Sequence, residues 1–217
     1  MPDIDTAVVF TQSVSRAIKS TSALPTFTYR DWSCPELESV RSFIRAHYRG
    51  EQGGLCSYCR KGVSIVSSQN CHVEHIAPKA KYPQFMFEPK NLCVICADCN
   101  AIKREQEVLE AEPDTVVRGG TRQRYPRSSD AFKIVHPHFD DYSEHIEVIG
   151  MFYLDKTDKG HFTIGACKLN RRLRAFGWEA EYDDASVADA ATKFLETTEA
   201  ASRARALKAL KQKLILV

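Results

Sequence analysis

The chain has 217 residues, enough for one large domain or two small ones, and its 43% hydrophobic and 27% charged residues allow a sizeable core. No apolar run approaches the roughly 20 residues of a membrane span, and Asp3 and Asp5 near the start do not read as a secretory signal, so the cytoplasm is the expected compartment. A net charge of +2 neither demands nor excludes a nucleic-acid partner, because the distribution of charge matters more than its sum.

In chain order, residues 1–32 are weakly patterned and suggest an extended arm. Ser33 and Glu36 have capping-box spacing, which predicts a helix from Ser33 to about Gly50 that buries Leu37, Val40, Phe43, Ile44 and Tyr48. A cysteine-rich core follows Gly53-Gly54. Within it a strand over 61–66 is expected to pair with 71–76, and a helix after Cys99 to cover the pair. Beyond Pro113 an Arg/Gly/Ser/Pro-containing loop runs to about Asp130, and 132–135 reads as a short strand. Residues 146–153 and 162–166 read as strands joined by a turn at 158–160. A helix is predicted from Asn170, burying Leu169, Leu173 and Phe176. The last stretch, from about Ser186, reads as helical, with Phe194, Leu195, Leu207, Leu210 and Leu214 near one face. The expected organisation is an N-terminal arm and helix over 1–50, a core over 51–112, and a strand/helix extension packed on that core over 113–217.

Eight cysteines in a chain of this length point to metal-binding thiolates in a reducing compartment rather than to a small disulfide scaffold. Cys56-Ser-Tyr-Cys59 and Cys96-Ala-Asp-Cys99 are two CxxC pairs, and two such knuckles complete a tetrahedral four-sulfur zinc site. Cys93 competes for the second pair, since Cys93 and Cys96 also have CxxC spacing, and Cys71 is a further candidate. Cys96 and Cys99 are preferred because Asn100 follows them directly. Cys34, Cys71, Cys93 and Cys167 then read as small buried hydrophobes. A redox role is disfavoured by the presence of two matched pairs.

Between the knuckles lies Cys71-His72-Val73-Glu74-His75-Ile76-Ala77-Pro78-Lys79, then Asn91-Leu92, and after the second knuckle Asn100-Ala101-Ile102-Lys103. This order resembles the zinc-clipped branch of the HNH endonucleases, members of the ββα-metal (His-Me finger) superfamily. That branch carries a CxxC, then Asp/Glu-His-Ile-x-Pro, then Asn-Leu, then CxxCAsn with a following lysine. The resemblance covers about fifty residues. It implies an α+β fold with a ββα-metal HNH core and a four-Cys structural zinc, flanked by helical N-terminal and strand–helix C-terminal parts. It also implies His75 as general base, Glu74 and Asn100 as ligands of a catalytic divalent metal (Mg²⁺ or Mn²⁺), and Asn91 as the residue that orders the loop behind the histidine. Aspartate is commoner than glutamate at the position of Glu74, which leaves the metal preference open. His72, two residues before Glu74 on the same strand face, is a further candidate for the metal or the scissile phosphate.

Between Arg60 and Arg104 there are seven basic and three acidic residues. Lys79, Lys103 and Arg104 are therefore candidates for backbone phosphates, with a second basic stretch at Arg118, Arg122, Arg124 and Arg127. Tyr58, Tyr82-Pro83, His136-Pro137-His138-Phe139-Asp140 and Gly160-His161-Phe162-Thr163-Ile164 resemble HNH proteins of bacterial antiphage systems, the Septu nuclease and those found beside retrons. That likeness implies an ATPase partner protein, and DNA is the substrate expected of the HNH site. His136, His138 and His145 read as part of a loop that packs on the core or borders the nucleic-acid groove. The competing functions are a non-catalytic zinc module that binds nucleic acid or protein, and an RNA nuclease using the same site.

Overall fold

A computed structural model describes residues 3–108, 115–117, 122–176 and 185–215. The architecture is mixed α+β with two small sheets. Among the described residues no helix is long and apolar enough to cross a membrane. The chain divides into two units, one of residues 1–147 and 154–169, the other of 148–153 and 170–217.

In the first unit the N-terminal segment is not an arm. Ile4 and Val8 are buried. The Ile4 amide donates to the Pro137 carbonyl and the Val8 amide to the Tyr48 hydroxyl. Helix α1 (Gln12–Ser22) follows, capped by Thr11, whose hydroxyl accepts from the Val14 amide. Helix α2 (Glu38–Glu51) buries Val40, Ile44 and Tyr48 of the expected face, while Phe43 is only half-buried and Leu37 is buried in the 3-10 turn that precedes the helix. The expected cap at Ser33 is displaced, however. The capping box is Thr28 with Asp31, and it opens a short 3-10 turn over Tyr29–Ser33. Past α2 the chain reverses through Gly53 and Gly54, both at positive φ. The Gln52 side chain bonds both the amide and the carbonyl of Val94, tying the end of α2 to the sheet beside it.

That sheet pairs β1 (His72–His75) with β2 (Leu92–Ile95), antiparallel, with Glu74 opposite Cys93 and His75 opposite Leu92. The strand expected over 61–66 is absent; that segment contributes one isolated bridge, Leu55 to Gly62. β2 is buried at every residue, so it offers no alternation by which a sequence reading could find it. Helix α3 (Ala97–Val108) begins immediately after β2 and packs on β1.

Downstream, 132–135 is not a strand. Phe132 makes one bridge to Val116, and the Val135 amide donates to the Thr163 hydroxyl. Helix α4 (Tyr142–His145) leads into the hairpin of β3 (Ile146–Ile149) and β4 (Phe152–Asp155). The second strand expected over 162–166 is instead part of helix α5 (Asp158–Ala166), capped by Thr157. Gly160 is required there, since a Cβ would lie 2.0 Å from the His145 carbonyl oxygen.

The second unit carries α6 (Arg171–Phe176), α7 (Ala185–Glu196) and α8 (Ala200–Ile215), so the C-terminal helical stretch is two helices rather than one. The Asn170 amide exchanges two hydrogen bonds with the Tyr153 backbone. Val187, Ala191, Phe194, Ala206 and Leu210 form the buried seam between α7 and α8. The Leu214 and Phe176 side chains lie outside the described residues.

His136 and His138 sit in the core of the first unit. His138 Nε2 donates to the Leu92 carbonyl, and His136 Nε2 meets the Tyr125 hydroxyl at 2.8 Å. Burial holds His136 well below the usual histidine pKa and brings His138 down to about 4. The unfolded chain takes up these protons below about pH 6.5, while folded His138 stays neutral to about 4, so folding stability falls as the pH drops through that window. His138→Gln keeps a donor for Leu92 and removes the titration. Denaturation at pH 7 and pH 5 is expected to show the variant losing about 2 kcal/mol less than the wild type; equal losses would count against the assignment.

Candidate active site and four-cysteine metal centre

The sulfurs of Cys56, Cys59, Cys96 and Cys99 all lie within 4.8 Å of one another, and all four residues are buried. Cys59 Sγ and Cys96 Sγ are 3.7 Å apart. A tetrahedral zinc with Zn–S bonds of about 2.3 Å sets its sulfurs about 3.8 Å from each other, so the donor set fits that ion in both chemistry and spacing. None of the eight cysteines is in a disulfide. The first knuckle is a turn in which the Arg60 amide donates to the Cys56 carbonyl, with Arg60 at φ 57°. The second knuckle is the start of α3. Thiol donors, Cys56 first, hold Cys96 well below its usual pKa, and the Cys56 hydrogen bond brings Cys59 down to about 7. Cys93 on β2 and Cys71 just before β1 are buried outside the cluster, Cys167 is buried, and Cys34 is half-buried. The choice of Cys96 with Cys99 over Cys93 therefore agrees with the geometry. His136, His138 and His145 join no such cluster among the described residues.

Beside this clip, Glu74, His75 and Asn100 line one cleft of about 370 Å³. β1 ends at His75, and α3 brings in Asn100 directly behind Cys99, so the knuckle that completes the sulfur cluster also brings Asn100 to the cleft lined by Glu74 and His75. His75 is 5% exposed and packs edge-on against Trp32, with ring centroids 4.5 Å apart. Its Nε2 is 3.1 Å from the Met86 carbonyl oxygen. A carbonyl only accepts, so Nε2 carries the ring proton and Nδ1 is the basic nitrogen. Burial, with Lys79 and Lys103 adding to it, holds the His75 pKa well below its usual value, so the ring is neutral at neutral pH.

Asn91 is fully buried and grips the turn after His75. Its Oδ1 accepts from the Ala77 amide at 2.7 Å, and its Nδ2 donates to the carbonyls of Ala77 and Phe85, both at 3.0 Å. Lys79 lines the cleft. Lys103 does not sit where a phosphate contact was expected. It is 1% exposed, ion-paired with Glu74 Oε1, and within reach of the His75 and Ile76 carbonyls. A lysine follows this course because a buried ammonium must find a compensating charge, and Glu74 is beside it. Tyr58, whose ring lies 5.7 Å from the Lys103 Nζ, also reaches Glu74 Oε1. His72 turns to the Gln69 carbonyl and is not among the residues lining the cleft. The Arg104 side chain and Arg118 lie outside the described residues.

The far wall of the cleft went unread in the sequence. Tyr29, Arg30 and Ser33 form it, with Trp32 beneath. The one local signal was the Thr28–Asp31 capping-box spacing, which marks an ordered turn in a segment otherwise without pattern.

No protein-family model matches the chain. Over 95 residues it is 32% identical to a protein of Vibrio cholerae serotype O1 biovar El Tor named "Retron Vc95 putative HNH endonuclease". The match takes in 40% of this chain and 45% of that protein, so the chain spans less than half the length of the curated relative it matches. This likeness supports the HNH family and a nuclease role.

Proposed function

We propose that this chain is a metal-dependent HNH endonuclease that hydrolyses phosphodiester bonds in DNA. The observation that carries this reading is the gathering of a carboxylate, an amide and a neutral, proton-accepting imidazole in one cleft: Glu74, Asn100 and His75. The order β1, β2, α3, with Glu74 and His75 from β1 and Asn100 from α3 lining one cleft, supports reading this segment as a ββα-metal core. Zinc is the ion we assign to Cys56, Cys59, Cys96 and Cys99, where it substitutes for the apolar core that so small a motif lacks.

Glu74 and Asn100 offer the oxygen donors suited to Mg²⁺ or Mn²⁺. Such an ion, when bound, offsets negative charge on the phosphoryl group and on the leaving oxygen. The protein's own part is proton transfer and placement. His75 Nδ1 takes a proton from a water as the water oxygen bonds to phosphorus and the P–O3′ bond breaks, leaving a 5′-phosphate and a 3′-oxygen that is protonated by solvent. The Met86 carbonyl fixes the ring tautomer. Asn91 keeps the backbone behind the ring from shifting. Lys103 orients the Glu74 carboxylate through their ion pair, and Lys79 contributes positive charge at the cleft for the phosphate backbone.

We further propose a cytoplasmic role in bacterial antiphage defence beside an ATPase partner. The retron in the relative's name and the antiphage-like segments at 136–140 and 160–164 support it. The test is direct. Purified chain incubated with supercoiled plasmid and Mg²⁺ or Mn²⁺ is expected to yield nicked and linear DNA, with EDTA abolishing the reaction and an RNA control cut more slowly. Preferential cutting of RNA would move the substrate to RNA. DNA binding with no cleavage in any metal would favour the non-catalytic zinc module.

A further inference from the structure

Arg30 is an exposed cation in the cleft wall, and three features make its place there a built one. The turn that carries it is locked by Asp31, whose Oδ2 accepts from both the amide and the hydroxyl of Thr28 at 2.7 and 2.9 Å. It is anchored from below by Trp32, buried against His75 and Phe87, and from the side by Arg41, which donates to the carbonyls of Trp32 and Cys34. The guanidinium itself is steadied by Tyr29: Nε donates to the Tyr29 hydroxyl at 3.3 Å, and Cζ lies 5.7 Å from the Tyr29 ring centroid. Among the described residues, Nη1 and Nη2 have no hydrogen-bond partner and no carboxylate pairs with Arg30. The neighbouring Asp31 is committed to Thr28.

The charges of the cleft point the same way. Among the described residues its lining holds Arg30 and Lys79 as cations and Glu74 as the one carboxylate, and Glu74 is already offset by Lys103. A surface arginine in isolation is most often a solvated charge. One whose Nε is held, whose turn is rigid and whose two terminal nitrogens are open presents the planar fork that matches two phosphate oxygens.

Building on the nuclease reading, we propose that Arg30 is a phosphate-binding residue of the cleft: its Nη1/Nη2 fork holds a backbone phosphate of the DNA strand whose scissile bond lies against His75. Tyr29 is the positioning residue that presents the fork. The N-terminal segment, which contributes none of the catalytic groups, thereby sets the register of the strand in the site.

Arg30 is exposed, so Arg30→Gln is expected to fold and to keep its zinc. Binding of a short labelled DNA duplex by zinc-loaded protein without added Mg²⁺ or Mn²⁺, followed by anisotropy across a salt series, is expected to weaken about tenfold in Arg30→Gln. The slope of log K against log salt should fall by about 0.9, one phosphate contact. Arg30→Lys is expected to keep the slope and lose part of the affinity, since it retains the charge and not the fork. Tyr29→Phe should weaken binding by about two- to fivefold with the slope unchanged. In plasmid cleavage the Arg30→Gln effect should fall on KM more than on kcat. If the wild type binds and cuts DNA while Arg30→Gln matches it in affinity and slope, the assignment of Arg30 fails and the nuclease reading stands. If the wild type neither binds nor cuts DNA, both fail together.

Discussion

Cys99→Ser is expected to release the zinc and leave the chain misfolded or insoluble. Binding at a structural zinc site is worth about 10–16 kcal/mol at neutral pH, as much as or more than the whole folding free energy of a typical domain. Here that energy is coupled to the fold at both ends of the core. Cys56 and Cys59 sit in the turn beyond α2, held from behind by the Tyr142 hydroxyl, which donates to the Tyr58 carbonyl at 2.8 Å. Cys96 and Cys99 sit where β2 passes into α3. Elemental analysis of wild-type protein purified without added metal should give one zinc per chain. Cys93→Ala, by contrast, should keep its zinc, because Cys93 lies on β2 opposite Glu74 and outside the sulfur cluster. A folded, zinc-free Cys99→Ser protein, by circular dichroism and sedimentation, would remove the clip. Loss of zinc from Cys93→Ala would reassign it.

What could be read from the sequence was whatever chemistry forces into a short span. A tetrahedral thiolate site needs its ligands in closely spaced pairs, so Cys56/Cys59 and Cys96/Cys99 announce themselves. The Glu74-His75 and Cys99-Asn100 neighbours are legible for a related reason: the resemblance tied each to a motif, and the structure places Glu74, His75 and Asn100 at one cleft. The amphipathic face of α2 was legible from its spacing alone.

What could not be read depends on contacts distant in sequence. β2 is a four-residue apolar run buried throughout, which carries no period, and its partner β1 lies across an intervening stretch of 3-10 turns. Asp158-Lys159-Gly160 looks like a hairpin turn, yet Thr157 caps a helix there and Gly160 lets that helix close on the His145 carbonyl. Lys103 looks like a surface lysine after a metal ligand, and only the folded position of Glu74 and Tyr58 explains its burial. Tyr29, Arg30 and Trp32 lie in one 3-10 turn too short to show a hydrophobic period, and their value lies in what they face.

Removing the base while keeping its surroundings should have the largest effect on chemistry. His75→Gln can still donate from its side-chain nitrogen toward the Met86 carbonyl and still fill space against Trp32, but it cannot accept a proton from water near neutral pH. His75→Ala also loses the base and leaves a cavity beside Trp32, so the glutamine variant separates chemistry from packing. Both should retain the zinc, since neither touches the sulfurs. The deciding measurement is the plasmid-cleavage rate of His75→Gln against the wild type, at the same Mg²⁺ concentration and with equal zinc content and DNA affinity verified. Loss of a general base gives an expected drop on the order of 10²–10⁴. A zinc-loaded, DNA-binding His75→Gln protein that cuts at the wild-type rate would contradict the assignment of this cleft as the catalytic site.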